Sequence, residues 1–308
     1  MRTEQVFWAL VVLAAGVGCQ GRAPLPPRAV QLNEAGVAAL ERGELDLASV
    51  DFELALEYSP RFVEALTNQA QVELERGNFE RARQLLRRAR RFNPDVAQPH
   101  HALGVLAEHE GHPDLAAAHY RAALEVDPGF APARANLGRL LFEAGHFEHA
   151  REEFARLVAG TPNSLAGHLG LIESLWRLGR WVEARQALAA AQALCGQPPE
   201  LLLLMAREAL REERLTDARS LLVPLVDRRD DIAVAALGWL AVAELLDRRW
   251  QYAMGAARAA LELEPDDRLA RWTIAAAREG LEADRRNRGN GSDGRVPTRK
   301  DALYASPP

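Results

Sequence analysis

Histidine is the residue type in this chain most able to bind a metal ion or to titrate near neutral pH, and its distribution is uneven. All eight histidines lie between residues 100 and 168. They are His100, His101, His109, His112, His119, His146, His149 and His168. His146 and His149 are one helical turn apart, but zinc normally requires three or four closely placed ligands. We therefore expect no metal ion and no other cofactor, and a patch that titrates at about pH 6 is the second interpretation.

Cys19 lies at the end of an amino-terminal segment that indicates covalent modification. The segment has a short polar start, an apolar stretch over residues 6–17, and the pair Gly18-Cys19. The stretch is too short to anchor a protein across a bilayer. The segment resembles a bacterial lipoprotein signal peptide, although Gly16 stands where that family usually has leucine. The resemblance implies that residues 1–18 are removed and that Cys19 is acylated and becomes the new amino terminus.

Lipidation would place the mature protein in a bacterial cell envelope. Lipoproteins of this type carry several acyl chains, which hold a protein more firmly than the weak anchorage of a single chain. Gln20 follows Cys19 where some inner-membrane lipoproteins have aspartate, so the resemblance implies an outer membrane lipoprotein that faces the periplasm. Residues 19–28, which contain three prolines, would form an extended linker. An ordinary secretory signal cleaved near the same position is the alternative.

The remaining sequence carries no recognisable catalytic constellation. It contains no phosphate-binding loop, nucleophile elbow, zinc-hydrolase helix or pair of catalytic carboxylates, and no catalytic motif surrounds Cys195. We therefore do not expect an enzyme, and we expect Cys195 to be a small buried hydrophobic residue. The net charge is −5, and the segment after residue 284 is basic, so the rest of the chain is acidic. An acidic body is a poor binder of nucleic acid.

A repeat organises most of the chain and must position any functional residue. Alanine recurs every 34 residues, with a last step of 35, at Ala48, Ala82, Ala116, Ala150, Ala184, Ala218 and Ala253. Glycine lies five residues before it at Gly43, Gly77, Gly111, Gly145 and Gly179. Proline lies twelve residues after it at Pro60, Pro94, Pro128, Pro162 and Pro265. This register defines seven units, over 29–62, 63–96, 97–130, 131–164, 165–198, 199–232 and 234–267.

The third unit shows the pattern most fully, with Leu103, Gly104, Gly111, Ala116, Tyr120, Ala123 and Pro128. This pattern resembles the tetratricopeptide repeat, a helix-turn-helix unit that stacks into a solenoid. The resemblance implies an all-α, right-handed superhelical solenoid of about seven units over residues 29–267. It also implies a scaffold that binds other proteins, without naming the partner.

Small residues and turn residues have mechanical roles in such a unit. Gly104 and Gly138 fall where the two helices of one unit cross, so a larger side chain there would separate the backbones. The glycine after the first helix suits the left-handed conformation that ends a helix. Units 5 and 6 depart from the pattern at four positions, Ile172, Gly196, Glu213 and Asp230. The boundaries of these two units can therefore slip by a few residues.

The residues after unit 7 predict a terminal cap and then a disordered end. An amphipathic stripe predicts a capping helix over residues 268–284, as a solenoid needs a terminal element with a polar outer face. Its apolar members are Leu269, Trp272, Ala276 and Leu281. Residues 285–308 are rich in Arg, Gly, Asn, Ser and Pro, which predicts a disordered basic tail.

The concave face is where proteins of this family bind their partners, and four positions of each unit line it. The resemblance makes the candidate groove residues His101, Arg139, Glu143, Glu173, Arg177, Arg207 and Arg211. Asn33, Thr67, Gln71 and His109 occupy corresponding positions. The arginines form the most cationic part of an acidic body, and an internal ion-pair network with Glu143 and Glu173 is the competing interpretation. Units 1 and 7 present apolar residues there instead, among them Val37, Leu40, Val242 and Leu245.

Together these features predict a lipid-anchored adaptor that captures an extended or helical segment of another envelope protein. By architecture the chain resembles the pilotin type of lipoprotein, which supports the secretins of type IV pili. The clamp that some family members use for chaperone tails needs lysines that this groove lacks, so that partner class is disfavoured. Two alternatives stay open, a docking accessory for enzymes of cell-wall or polysaccharide synthesis and a purely structural envelope component.

Overall fold

The computed structural model describes residues 24–290, with side-chain environments described through Arg286. The predicted signal peptide, Cys19 and the part of the tail after residue 290 lie outside the described residues. Within the described range the regular structure is helical, in fifteen α-helices and one short 3-10 helix. None of these helices is long and apolar enough to cross a membrane. The helices belong to two compact units, the first ending at Phe130 and the second starting at Ala131.

The first unit contains six helices that pack as consecutive pairs. They are α1 (Pro27–Glu41), α2 (Leu45–Tyr58), α3 (Val63–Glu75), α4 (Phe79–Phe92), α5 (Ala97–His109) and α6 (Pro113–Val126). The pairs are α1 with α2, α3 with α4 and α5 with α6, and each pair also packs on the next. The centre of this core is formed by apolar side chains of α3, α4 and α5, among them Leu66, Leu86 and Leu106.

The second unit continues the same arrangement with nine helices among its described residues. They are α7 (Ala131–Glu143), α8 (Phe147–Gly160), α9 (Leu165–Arg177), α10 (Trp181–Cys195), α11 (Pro199–Arg211), α12 (Leu215–Leu222), α13 (Asp231–Leu246), α14 (Trp250–Leu263) and α15 (Arg268–Asn290). Four pairs form in chain order from α7 to α14, and α15 packs on α13 and α14.

Tight turns join the two helices of each pair, and their backbone explains the recurring glycine. Five glycines have a positive φ between 70° and 79°, namely Gly43, Gly77, Gly111, Gly145 and Gly179. A residue with a Cβ is disfavoured in this left-handed region, so the predicted role of the turn glycine is confirmed. Glu213 and Arg248 occupy the corresponding turns of the last two pairs, with φ of 60° and 59°. These two residues therefore hold a conformation that costs free energy.

The recurring alanine lies where the two helices of a pair touch. All seven members of the register have 0% exposure, namely Ala48, Ala82, Ala116, Ala150, Ala184, Ala218 and Ala253. This burial is what the repeat register predicts at each of these positions, including those in units 5 and 6. It also confirms that Ala116 and Ala150 lie in the core.

Residue volume is matched across the helix crossings that have a glycine on the first helix. Glycine faces an aromatic ring in three pairs, Gly36 with Phe52, Gly104 with Tyr120 and Gly138 with Phe154. Aliphatic residues replace this combination in three others, Ala70 with Leu86, Ile172 with Leu188 and Ala206 with Leu222. A Cβ on Gly104 would lie 2.4 Å from the Tyr120 ring, which no real contact tolerates. A large ring on the second helix thus fills the space that the glycine leaves, and the core keeps its density.

The pair α11 and α12 is the least regular because its second helix is short. The helix α12 ends at Leu222, and a 3-10 turn over Val223–Leu225 follows. Pro224 lacks the N–H that a continuing α-helix would need. Asp230, which stands in place of the expected proline, accepts a hydrogen bond from the backbone N–H of Ala233 at 3.2 Å and caps α13.

The last helix covers the apolar surface of α13 and α14. The predicted stripe packs there, with Leu269, Trp272, Ala276 and Leu281, beside the fully buried Ala270 and Ala277. The indole N–H of Trp250 donates to the carboxylate of Asp284 at 2.7 Å, and Arg248 pairs with the same carboxylate at 2.7 Å. The helix continues to Asn290, beyond the expected end at residue 284. At the other end of the array α1 starts at Pro27, inside the expected linker.

Candidate functional site

A cleft of about 370 Å³ lies in the second unit and is lined by the first helices of its pairs, α7, α9, α11 and α13, with one residue from α8. Its apolar wall consists of Phe142, Phe154, Leu169, Gly170, Leu203, Leu204, Ala235 and Trp239. Its polar groups are Arg139, Glu173, Glu200 and Arg207. We call it the aromatic cleft. A mostly apolar cleft with a few convergent polar groups is the usual form of a binding site.

Arg207 is the central polar group of the aromatic cleft. Its guanidinium carbon lies 4.6 Å from the ring centroid of Trp176 and 5.1 Å from that of Trp239. One guanidinium nitrogen donates to the carboxylate of Glu173 at 2.5 Å. Stacking on two indoles together with this ion pair fixes the orientation of an otherwise flexible side chain.

Arg207 also keeps donors available for a bound molecule. A guanidinium has five N–H donors, and one nitrogen is engaged by Glu173. The side chain remains 25% exposed. The arrangement can therefore present an oriented hydrogen-bond donor to a carbonyl or carboxylate inside an apolar cleft.

The other predicted groove residues of the second unit divide between the cleft and its surroundings. Arg139 lines the cleft and pairs with Glu143 at 2.9 Å, one helical turn away. Arg177 lies outside the cleft lining, with its guanidinium 5.7 Å from the ring centroids of both Phe142 and Phe147. Arg177 thus lies next to Phe142, whose ring forms part of the cleft wall.

Arg211 has a structural environment. Its guanidinium stacks on the Trp181 ring at 5.2 Å and pairs at 2.6 Å with Glu208, whose side chain is 3% exposed. Burial raises the pKa of Glu208, but hydrogen bonds and charge from Arg211 and Arg185 outweigh it, so this pKa lies below its ordinary value. Glu208 therefore stays ionised inside the fold and holds Arg211 in place.

The ion pairs expected from the competing interpretation of the groove are present. Glu143 pairs with Arg139 and Glu173 with Arg207. Both members of the second pair line the cleft, whereas Glu143 of the first pair does not. The predicted row of arginines thus resolves into one cleft, with Arg139, Glu173 and Arg207, and neighbouring structural pairs.

A second cleft, of about 360 Å³, is lined by residues of α1, α3 and α5 of the first unit and by Val96, and most of these residues are polar. It is lined by Asn33, Val63, Glu64, Thr67, Asn68, Gln71, Val96, Gln98, His101 and Ala102. We call it the polar cleft. Four groove residues expected from the sequence, Asn33, Thr67, Gln71 and His101, come together here. The amide of Asn68 donates to the side-chain oxygen of Asn33 at 3.0 Å, so part of this polar surface is already organised.

His101 is neutral at physiological pH. Its ring packs against Tyr120 and Phe130, with centroid distances of 5.5 Å to each. Burial lowers the pKa of His101 to about 4. Burial is also the main cause that lowers the pKa of His100 and of His119. The interpretation that clustered histidines titrate at about pH 6 is therefore wrong for His101.

The histidines do not converge on a metal ion within the described part of the chain. The rings of His146 and His149 have centroids 6.3 Å apart. His168 is buried, and its Nε2 lies 2.8 Å from the carbonyl oxygen of Pro162. Between residues 24 and 290 no group of three His, Cys, Asp or Glu side chains could hold a metal ion.

Two interpretations of small and apolar positions are wrong. Val242 and Leu245, expected at an apolar end of the groove, are 1% and 5% exposed. They belong to the core, where Leu245 packs with Trp250 beneath the last helix. Cys195, expected to be buried, is partly exposed, with its Sγ 3.6 Å from the carbonyl oxygen of Asn163.

Sequence reasoning missed Trp239, which lines the cleft, and Trp176, which stacks on Arg207. A tryptophan in the first helix of a repeat is normally assigned to packing, because nothing in the sequence says what will lie on its ring. The signal that the sequence offered was its content of tryptophan. Of the six tryptophans, Trp176, Trp181 and Trp239 all carry the guanidinium of a predicted groove arginine.

Family profiles for the tetratricopeptide repeat match most of the helical array. One profile matches residues 33–97, 67–131 and 203–268, which together make up more than half of the chain. A second profile of the same description matches residues 107–169. With the helical pairs described above, these matches confirm the predicted all-α fold of repeated helix-turn-helix units. No curated protein matches the chain.

Solved structures share the fold at low sequence identity. The APC/C hetero-tetramer Cut9–Hcn1 matches with a TM-score of 0.61 and 17% identity, over 80% of this chain and 49% of that chain, so this chain spans about half of its length. PilF of Pseudomonas aeruginosa matches with a TM-score of 0.57 and 21% identity, over 72% and 97% of the two chains. PilW, a widely conserved type IV pilus biogenesis factor, matches with 0.57 and 19%, over 69% and 99%. At these identities the likeness shows the fold alone.

Proposed function

We propose that this chain, which belongs to the tetratricopeptide repeat family, is a lipid-anchored scaffold that binds a segment of another envelope protein. Membership of the family supports the general part of the proposal, a scaffold for protein–protein interaction. The specific part is that an extended or helical segment of the partner occupies the aromatic cleft and that Cys19 carries the lipid. The cellular role that we favour is pilotin-like assistance in assembling the secretin of a type IV pilus.

The observation that carries the proposal is the arrangement of Arg207 in the aromatic cleft. The apolar wall offers surface against which a partner's side chains can be buried, and such burial drives association. The guanidinium is already oriented by Trp176, Trp239 and Glu173. Little side-chain entropy is then lost when a partner binds, which favours affinity. The cleft therefore suits a segment that presents apolar side chains beside a carbonyl or carboxylate oxygen.

The fold shared with PilF and PilW supports the favoured role, since PilW is a type IV pilus biogenesis factor. The sequence identities of 21% and 19% limit this support to the architecture. A docking accessory for enzymes of cell-wall or polysaccharide synthesis would use the same cleft for a different partner. The identity of the captured protein separates these two roles.

The cleft is tested by filling it. Ala235 lines the cleft and is partly exposed, so Ala235→Trp places an indole in the space that the partner would occupy. Ala189→Trp on the exposed side of α10 is the matched control, because it adds the same side chain to the same unit. We expect affinity capture from detergent-solubilised envelopes to recover one prominent partner with the control and with the unchanged chain, and to lose it with Ala235→Trp. Equal recovery by both variants, with equal helical content, would exclude the aromatic cleft as the binding site.

The lipid anchor is tested at Cys19. The variant Cys19→Ser should abolish acylation, and mass spectrometry of the membrane fraction should find acyl chains on the unchanged chain alone. Cleavage between Gly18 and residue 19 in the variant would instead assign the segment as an ordinary secretory signal. Recovery of a secretin in the capture experiment would support the pilotin-like role, and recovery of a glycosyltransferase or cell-wall enzyme would replace it with the docking role.

A further inference from the structure

The helix α4 concentrates positive charge on one face. It contains six arginines in 14 residues, namely Arg81, Arg83, Arg87, Arg88, Arg90 and Arg91. Its opposite face is apolar and buried, through Ala82, Leu85, Leu86 and Ala89. The helix contains one acidic residue, Glu80, although the chain as a whole is acidic. Charged and apolar side chains thus lie on opposite faces of this helix. Packing explains the apolar face but does not require six arginines on the other face.

Carboxylates neutralise the amino-terminal half of this face. Arg81 pairs with Glu53 at 2.7 Å. Arg83 forms close ion pairs with both Glu80 and Glu110. These contacts give the first two arginines an intramolecular role, which is to tie α4 to the helices beside it.

The carboxyl-terminal half is not neutralised in this way. Arg87, Arg88, Arg90 and Arg91 are all exposed, and none of the four has a carboxylate partner within the described residues. We call these four side chains the basic face. Their spacings of three and four residues bring like charges together on the helix, which destabilises it. The helix dipole compensates for Arg90 and Arg91, which lie in the last turn, but not for the other two.

One further positive charge, that of Arg61, lies beside the basic face. The guanidinium of Arg61 lies 5.6 Å above the ring of Phe92 at the end of α4. Two histidines lie close enough to Arg90 for its charge to act on them. Burial is the main cause that lowers the pKa of His100 and His119, and the positive charge of Arg90 contributes to the shift at both. The carboxylate of Glu125 also acts on His100 and opposes the effect of Arg90 there. His119 shows the effect of Arg90 without an opposing carboxylate among the described residues.

We propose that the basic face binds the anionic headgroups of a phospholipid bilayer. No residue of α4 lines the aromatic cleft or the polar cleft, so the basic face is a surface separate from both. Guanidinium groups bind phosphate oxygens with paired hydrogen bonds. The four arginines are interleaved with no aromatic side chain on which a nucleic-acid base could stack, which makes a nucleic acid the less favoured partner.

The position of the face in the chain supports a membrane partner. A lipid on Cys19 would be joined to α1 by the few residues that precede Pro27. Extended chain spans at most about 3.5 Å per residue, so the start of α1 would stay within about 30 Å of the bilayer, a bound that rests on the proposed lipid at Cys19. Arginines that come within a Debye length of an anionic surface add to the attachment. The proposal does not depend on what occupies the aromatic cleft.

The test uses the full chain with Cys19→Ser, so that no lipid contributes, and vesicles of phosphatidylcholine with or without phosphatidylglycerol. The basic-face variant replaces Arg87, Arg88, Arg90 and Arg91 with Gln. The control replaces Arg285, Arg286, Arg288 and Arg295 with Gln and removes the same charge from the basic tail. We expect the basic-face variant to bind phosphatidylglycerol vesicles at least about tenfold more weakly, and the control to bind as the parent does. High salt should remove most of the difference.

Circular dichroism and thermal melting check that the basic-face variant is folded, and its melting temperature should not fall, since repulsion between like charges is removed. If the fourfold variant does not fold, the pair Arg87→Gln and Arg88→Gln should give the same direction of effect. Equal vesicle binding by the parent and the basic-face variant would overturn the proposal, as would a loss confined to the tail variant. A parent chain that ignores phosphatidylglycerol but binds a single-stranded oligonucleotide or polyglutamate would assign the face to another partner class and would also overturn it.

Discussion

One missing methyl group decides how closely α1 and α2 approach. A Cβ on Gly36 would lie 2.6 Å from the ring of Phe52, which is fully buried. Gly36→Ala should therefore destabilise the chain by about 1–3 kcal/mol, less a small gain in helix propensity. Adding Phe52→Leu should recover much of the loss, because the pair then matches Ala70 and Leu86 of the next repeat.

Chemical denaturation of the two single variants and the double variant measures this coupling. Gly255→Ala on α14 is the control, since no atom lies within 4 Å of the added Cβ. It should stabilise the chain by about 0.5–1 kcal/mol. Additive effects of Gly36→Ala and Phe52→Leu would show that the glycine and the ring do not compete for the same space.

Glu213 offers a test of backbone strain without a change in packing. Its φ of 60° lies in the region where the other repeats place glycine. Glu213→Gly should raise stability by about 0.5–1 kcal/mol relative to Glu213→Ala, because both variants lose the carboxylate and only the first loses the Cβ. Thermal melting of the two variants side by side gives the difference. Identical melting temperatures would mean that the turn tolerates a Cβ at no cost.

His101 should make the chain sensitive to acid. Burial lowers its pKa to about 4 from the ordinary value of 6.5, so the folded state disfavours the proton that the unfolded state accepts. The stabilising contribution of neutral His101 is present above about pH 6.5 and is lost as the pH falls towards 4. His101→Phe keeps a ring beside Tyr120 and Phe130 and should flatten the stability profile over this window. The same change at the exposed His149 is the control, and parallel profiles for parent and His101→Phe would refute the assignment.

At the scale of helices, the sequence predicts spacing well and side-chain surroundings poorly. Alanine, turn glycine and proline recur because the same backbone geometry recurs, so positions such as Ala116 and Gly111 can be assigned without a structure. The aromatic cleft could not be assigned in this way. Arg207 acquires its neighbours Trp176 and Trp239 from helices far apart in the chain, and periodicity does not say which rings meet.

In the irregular elements too, the sequence shows where the pattern changes but does not show which contacts cause the change. The sequence marks a departure at Asp230, and the structure gives its cause, because Pro224 shortens α12 and Asp230 then caps α13. The repeat position of Leu245 predicts an exposed groove residue, yet the last helix buries it. A terminal repeat has a neighbour that internal repeats lack, and that neighbour changes which positions reach solvent.

Asp284 should hold the last helix in place. Its carboxylate accepts the indole N–H of Trp250 at 2.7 Å and pairs with Arg248. Asp284→Ala leaves the partly buried indole N–H without this acceptor, which should cost about 1–3 kcal/mol. Glu282→Ala, at an exposed position of the same helix, should have little effect. Near-ultraviolet circular dichroism and thermal melting measure both variants, and equal melting temperatures would remove the anchoring role.

At the scale of the whole chain, different functions are assigned to different repeats. The basic face belongs to α4 in the first unit, and the aromatic cleft belongs to α7 through α13 in the second. Stacked repeats contact their sequence neighbours, so each surface can vary without rebuilding the other. The proposed attachment to a membrane and the proposed capture of a partner therefore use independent residues.

Because each repeat contacts its neighbours in sequence, we expect a destabilising substitution to affect only the helices near it. The core around Leu66, Leu86 and Leu106 draws on the first unit, and the core around Leu245 and Trp250 draws on the last three helices. Gly36→Ala should therefore raise amide hydrogen exchange in α1 to α4 and leave α13 to α15 protected. Gly280→Ala is the reciprocal variant, because its Cβ would lie 2.7 Å from the Trp250 ring. It should expose α14 and α15 to exchange and spare the first four helices.

Hydrogen exchange followed by mass spectrometry resolves the two regions in one experiment. An equal loss of protection along the entire array in either variant would mean that the repeats unfold as one cooperative body, and the independence of the two binding surfaces would then lose its physical basis.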